Sequence, residues 1–349
     1  MPQPFPTVML VPTGIGCAIG GYAGDALPAA RLIAAASGCL ITHPNVMNGA
    51  SLYWRDERIH YVEGYGLDRF AAGEWGLSPV RRQRVGLLLD CGIEPELKQR
   101  HRQVADACRA TLGLSIGPVL ETDQPLEVSL ELGSSGASWG RLGHPDALLR
   151  AGERLRAAGA TAIAVVARFP EDPESDALAA YRQGSGVDGL AGAEAVISHL
   201  LVQHLRIPCA HAPALSPLPL DPQLDPRAAA EELGYSFLSC VLVGLSHAPD
   251  LITTASAARV GSELWMDQVE ALVVPEGALG GEAVLAALQR QTPVIAVHNP
   301  SVLSVSAKAL GLEGTVLSAA SYRDAAGLIL ALREGLNPAA LQRPLESLT

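Results

Sequence analysis

The chain has 349 residues, of which 48% are hydrophobic and 17% charged, and a net charge of −11. That is long and apolar enough for one large α/β domain or two, and it excludes a disordered chain. The acidic balance, with no basic stripe interleaved with aromatics, excludes nucleic acid and acidic membrane surfaces as partners.

Short β-branched or Leu-rich runs alternate with Ala-rich helical stretches from the start. Thr7–Pro12 reads as a strand, Asp25–Ser37 as a helix, Cys39–Thr42 and Val85–Asp90 as strands, and Pro95–Leu112 as a helix. Then come strand Leu126–Leu132, helix Pro145–Ala158, strand Thr161–Ala167, helix Leu190–Leu205, strand Pro208–Ala210 and helix Pro226–Gly244. Strand Glu270–Val274, helix Gly281–Gln289, strand Pro293–Val297 and helix Tyr322–Arg333 close the chain. Strands separated by helices imply an α/β fold of mostly parallel sheet with helices on both faces. The natural division is an N-terminal lobe over 1–150 and a C-terminal lobe over 151–349, or one continuous domain.

Gly21-Tyr-Ala-Gly24-Asp-Ala-Leu aligns with Gly189-Leu-Ala-Gly192-Ala-Glu-Ala, and the same register carries His43 onto His211. A third segment, Gly280-Gly281-Glu282 and then Val294-Ile-Ala-Val-His298-Asn-Pro, repeats the scheme with one residue deleted. Two similar Rossmann-like lobes from internal duplication would account for this, as would the general likeness of βαβ units at Gly and Ala.

Strand-to-helix loops of a parallel sheet leave from its carboxyl edge, so the Thr13–Gly24 loop and the turns at His43, His211 and His298 could share one rim. Five glycines in Thr13–Asp25 allow positive φ and close approach, and N–H groups at a helix start favour an anion. Thr13, Gly14, Gly16, Asn45, Asn48, His298 and Asn299 are therefore candidate ligand contacts. The spacing Gly14-x-Gly16-x-x-x-Gly20 departs from the dinucleotide fingerprint by one residue, and His43-Pro-Asn replaces the acidic residue expected after the second strand.

Ser134, Ser135, Gly136, Ser138 and Arg141 form a second small-residue loop that could contact an anion. Its Gly-Ala-Ser138-Trp-Gly matches the nucleophile-elbow pattern of hydrolases in form. The densest polar stretch runs from Gly184 to His199: Asp188 precedes a helix, Glu194 and Ser198 share a face at i,i+4, and His199 lies beside them. Asp188 and Glu194, with His43 and His211, are the candidate proton carriers. Asp188 could equally cap the helix.

Lys98 and Lys308 are the only lysines, and neither sits in a Walker A setting, so a P-loop NTPase is excluded. Both are expected to be solvated. The six cysteines are scattered without a CxxC pair, which points to a reducing compartment. No basic n-region precedes an apolar stretch, and no uncharged apolar run approaches the roughly 18 residues of a membrane span. A soluble, cytoplasmic protein or a plastid stromal one is expected, with no membrane partner. No metal spacing such as HExxH occurs, and the pattern identifies no cofactor. A homo-oligomer is compatible with it.

Cys209-Ala-His211 is similar to the Cys-Thr-His stretch of the aspartate/glutamate racemase superfamily, in which two symmetric thiols face a substrate α-carbon. The repeat places Ile41, not a cysteine, at the symmetric position. Val11-Pro-Thr-Gly-Ile-Gly-Cys-Ala-Ile-Gly-Gly, Thr42-His-Pro-Asn-Val-Met-Asn-Gly, Ser135-Gly-Ala-Ser-Trp-Gly and Ala191-Gly-Ala-Glu-Ala-Val-Ile-Ser-His together resemble a family of unknown function, DUF3326, of cyanobacteria and plastids. The resemblance spans nearly the whole chain and implies a phototroph setting without an activity.

The expected function is an enzyme acting on a small anionic metabolite, carboxylate or phosphate, by His/acid proton transfer. A Ser138 hydrolase and a Cys209 isomerase are variants of that reading. A non-catalytic metabolite-binding, assembly or regulatory protein is the competing class.

Overall fold

A computed structural model describes residues 3–48, 55–232, 237–253 and 261–345. The strands in chain order are β1 (Thr7–Met9), β2 (Leu40–Thr42), β3 (Ile59–Tyr61), β4 (Gly76–Ser78), β5 (Val85–Leu89), β6 (Ile116–Glu121) and β7 (Val128–Leu132). They continue with β8 (Ser138–Leu142), β9 (Ala162–Arg168), β10 (Cys209–Ala214), β11 (Asp250–Ile252), β12 (Ala271–Pro275), β13 (Val294–Val297) and β14 (Leu317–Ala319).

Six strands pair in parallel in the order β14-β13-β12-β1-β2-β3, and four in the order β10-β9-β5-β6. Counted along the chain within each sheet, the first has the 3-2-1-4-5-6 order of a dinucleotide-binding fold and the second the 2-1-3-4 order of a flavodoxin-like one. The α/β, parallel, helix-covered fold read from the sequence is the fold observed. The sheets do not divide at residue 150: the six-stranded sheet joins the two ends of the chain, and the four-stranded sheet is built from its middle. The repeat register is matched by one unit, with helix Leu27–Ser37 and β2 corresponding to helix Ala191–Leu205 and β10, and the two sheets differ in strand order.

Burial alternates along the strands of the smaller sheet. Leu87, Leu89, Ala164 and Val166 enter a core continuous with Val8, Leu40, Val273 and Ile295 of the larger sheet. Leu88, Ile163, Val165 and Cys209 enter a second core under helices Pro145–Ala157 and Ala191–Leu205, with Leu148, Ala151, Ile197 and Leu201. This period of two decides which side each strand residue faces. By the same count His211, two residues after Cys209, faces helix Ala191–Leu205.

Helices Pro95–Leu112 and Tyr322–Arg333 begin and end where the sequence places them. The long helix expected over Pro226–Gly244 is two helices, Pro226–Glu232 and Phe237–Ser246, on either side of residues outside the described set. Lys98, expected in solvent, instead bonds Glu121 and the Cys91 carbonyl with 15% of its side chain exposed. Among the described residues no single helix is long and apolar enough to cross a membrane.

Candidate functional site

The loop after β1 lies at the point where the strand order of the larger sheet reverses, the usual place for a nucleotide in this topology. Here the chain itself occupies the crevice. The segment after β13 runs across it, with Ala18 N–H on the Pro300 carbonyl (2.9 Å), Val302 N–H on the Ile15 carbonyl (3.0 Å), and Val305 N–H on the Gly277 carbonyl (2.8 Å). The weak dinucleotide match in the sequence therefore has no open crevice to serve.

Much of the polar residue set proposed for ligand contact holds this loop in place. Asn299, 2% exposed, accepts from Ile19 N–H and donates to the Ile19 carbonyl and the Tyr322 hydroxyl. Asn45 donates to the Gly20 carbonyl at 2.9 Å, and its own carbonyl receives Gly24 N–H. Asn48 accepts from the Tyr61 hydroxyl. His298 stands at the surface with Nδ1 2.6 Å from Glu276. Thr13 sits in the turn leaving β1.

The second small-residue loop is the turn of a hairpin formed by β7 and β8. Ser134 and Ser135 are exposed there, and Gly136 adopts positive φ. Arg141 points outward, over the Trp139 ring and toward Glu131, with 66% of its side chain exposed, so it is not an anion contact for the cleft. Ser138 lies in β8 rather than on a strand-to-helix turn. Its Oγ accepts from Gly192 N–H, and its own N–H donates to the Gly14 carbonyl. The elbow geometry of a nucleophilic serine is absent. Cys209 is fully buried with its thiol donated to the Ile207 carbonyl, and burial pushes its pKa well up, so no thiolate is available for the racemase-like chemistry.

What the fold does assemble is a chain of acids and histidines along helix Ala191–Leu205. Ser198 Oγ lies 2.5 Å from His211 Nδ1, and Glu194 Oε2 lies 3.5 Å from His211 Nε2. Asp188 lies two residues before the helix's N-cap, Leu190, and accepts from the Leu190 N–H at 2.9 Å. With its carboxyl turned inward, burial and then the Glu194 charge raise its pKa to about 7. Glu231 is sunk beside them. It accepts from the Tyr181 hydroxyl at 2.9 Å and from Ala23 N–H of the glycine loop, and burial followed by the Asp188 charge raises it well above the usual range. Tyr181 also stacks on Tyr22 of that loop, with ring centroids 4.3 Å apart.

On the adjoining face of the helix, His199 Nε2 meets Glu63 Oε1 at 3.1 Å, while the other Glu63 oxygen accepts the N–H groups of Tyr65 and Gly66 that open the next helix. Burial raises the Glu63 pKa to about 8 and lowers that of His199. His43 stands apart. Its Nε2 accepts from Val11 N–H at 3.0 Å, and burial, then the neighbouring His199, lowers its pKa to about 4, so the ring holds the loop as a neutral imidazole with its one proton on Nδ1.

The glycine loop and the acid cluster touch. A Cβ on Gly14 would meet Ser138 Oγ at 2.2 Å and Ala191 Cβ at 3.4 Å, and one on Gly16 would meet the Gly186 carbonyl at 3.0 Å. Of the proposed carriers, the structure thus unites Asp188, Glu194 and His211 beside Gly14 and Gly16, and leaves His43 outside. Glu63, Glu231 and Tyr181 went unread in the sequence. Their spacing carries no motif, and they reach the cluster only through tertiary contacts. Among the described residues no group of three or more His, Cys, Asp or Glu side chains has the geometry to hold a metal.

A profile of proteins of unknown function, DUF3326, matches residues 6–342. A protein of Synechococcus sp. (strain PCC 6301), named an uncharacterized lipoprotein, is 55% identical over 336 residues, covering 96% of this chain and 92% of its own. No solved structure matches. Sequence and span together place this chain in the DUF3326 family of proteins of unknown function.

Proposed function

We propose that the protein is an enzyme that moves a proton on a small anionic metabolite, with His211, Asp188 and Glu194 as the proton carriers. The observation that carries this reading is the juxtaposition of two carboxyl groups and an imidazole beside a glycine loop, burial raising the pKa of the Asp188 carboxyl. A group titrating near the working pH exchanges protons with the least penalty in either direction. Gly14 and Gly16, at φ +72° and +58°, let the loop pack directly against Ser138 and Gly186, beside the helix that carries Glu194.

The test is to screen small carboxylates and phosphates by thermal shift, then to follow each bound acid in D₂O by NMR. Deuterium uptake at a carbon beside the carboxylate, lost in D188N and H211Q, is the expected result. No stabilising ligand, or exchange unaffected by both substitutions, overturns it.

We place the protein in the cytosol or plastid stroma. A lipid-bearing cysteine stands at the N-terminus of the processed chain. Cys17 is 2% exposed, and cleavage before it would remove β1, the strand between β12 and β2. Lipid attachment at Cys17 is thus at odds with this fold.

A further inference from the structure

His211 is approached at both ring nitrogens by one helix, through Ser198 at Nδ1 and Glu194 at Nε2. A neutral imidazole carries one proton, and its neighbours decide which nitrogen holds it. Ser198 is 1% exposed, so water offers no acceptor for its hydroxyl. If Nδ1 carried the proton it would donate to Ser198 Oγ, and the buried hydroxyl would be left without an acceptor among its described contacts, a costly arrangement. The same tautomer would also aim the Nε2 lone pair at Glu194. With the proton on Nε2 both conflicts vanish, because the hydroxyl donates to Nδ1 and the Nε2 proton lies on the side of the Glu194 carboxylate, 3.5 Å away.

We infer that Ser198 is a positioning residue that fixes His211 as the Nε2–H tautomer, so that the proton this site can deliver sits on the Glu194 side of the ring. The other ionisable groups around the imidazole are Asp188, on the loop before the helix, and His199, next to Ser198. Neither is placed at Nδ1. The tautomer stands on the geometry alone, and its chemical meaning rests on the proton-transfer reading: the Glu194 carboxylate takes the proton from the substrate carbon and later returns it, while Nε2–H of His211 donates a hydrogen bond to the negative charge that develops.

The experiment is a long-range ¹H–¹⁵N correlation on protein labelled with ¹⁵N-histidine near pH 7.5, the His211 signals being assigned by their loss in H211Q. A protonated, pyrrole-type Nε2 and an unprotonated, pyridine-type Nδ1 are expected. S198A should shift both toward the average of mixed tautomers, and S198T, which keeps a hydroxyl, should restore them. A wild-type ring protonated on Nδ1, or an S198A spectrum identical to wild type, overturns the inference. If S198A does not fold, the wild-type spectrum decides by itself. Failure of the deuterium-exchange screen would remove the enzymatic reading while leaving this tautomer in place, so the two fail separately.

Discussion

Replacing Gly14 by alanine tests whether the glycine loop is clasped by β8. Gly14 has φ +72°, and a Cβ there would sit 2.2 Å from Ser138 Oγ. The backbone conformation alone costs a non-glycine residue about 1–2 kcal/mol. The clash can be relieved by turning the serine side chain, but the turn breaks its bond to Gly192 N–H and leaves that donor unpaired, for about 1–3 kcal/mol more. G14A should therefore destabilise by about 2–5 kcal/mol.

S138A removes the same bond at the outset and should cost about 1–3 kcal/mol. In that background the alanine at 14 meets only Cβ atoms at 3.4 Å, which is ordinary contact, and pays the backbone cost alone. The double variant should thus be more stable than the sum of the singles predicts by about 1–3 kcal/mol. Urea unfolding of the four proteins, followed by circular dichroism, measures it. Additivity within about 0.5 kcal/mol would refute the clasp, because independent sites add to that precision.

Three further outcomes follow from the buried groups. Asp188 is held to about 7, above its unfolded value, so its contribution to stability is present below about pH 4 and lost as pH rises through 7. D188N should flatten the stability decline across that window, by at most about 4 kcal/mol and by less to the extent that Glu194 shares the proton, in unfolding curves taken from pH 4 to 8. Y181F removes the donor to buried Glu231 and should cost about 1–3 kcal/mol in urea unfolding; an unchanged midpoint would separate Tyr181 from the cluster. Iodoacetamide should label Cys91 first in the native protein, since it alone of the six cysteines is not buried, while Cys17, its thiol pushed up to about 12, should stay unlabelled in a peptide mass map.

Much of the fold was legible in residue patterns because it is written in local period and capping. Helix Pro95–Leu112 runs from a proline at its first position to Gly113 in the left-handed conformation, and both signals are in the sequence. Glu194 and Ser198 fall on one face by helical spacing alone. Elements with weak local signals are not legible in the pattern: β6 contains Gly117-Pro118, β8 contains Gly140 and follows a run of small residues that reads as a loop, and β3 and β14 are three residues long.

The sequence by itself determined an α/β protein of parallel strands, a glycine loop after the first strand, and the acid-and-serine face of helix Ala191–Leu205. Only the tertiary structure decided that the two ends of the chain share one sheet, that the segment after β13 fills the crevice a dinucleotide would need, and that His211 rather than His43 meets that face. The reason is one of range. Helical spacing and strand alternation act over a few residues, whereas a contact such as Asn299 with Ile19, or Glu231 with Ala23, depends on where whole sheets are docked. That docking is set by the summed burial of a core running through both sheets, to which no short motif corresponds.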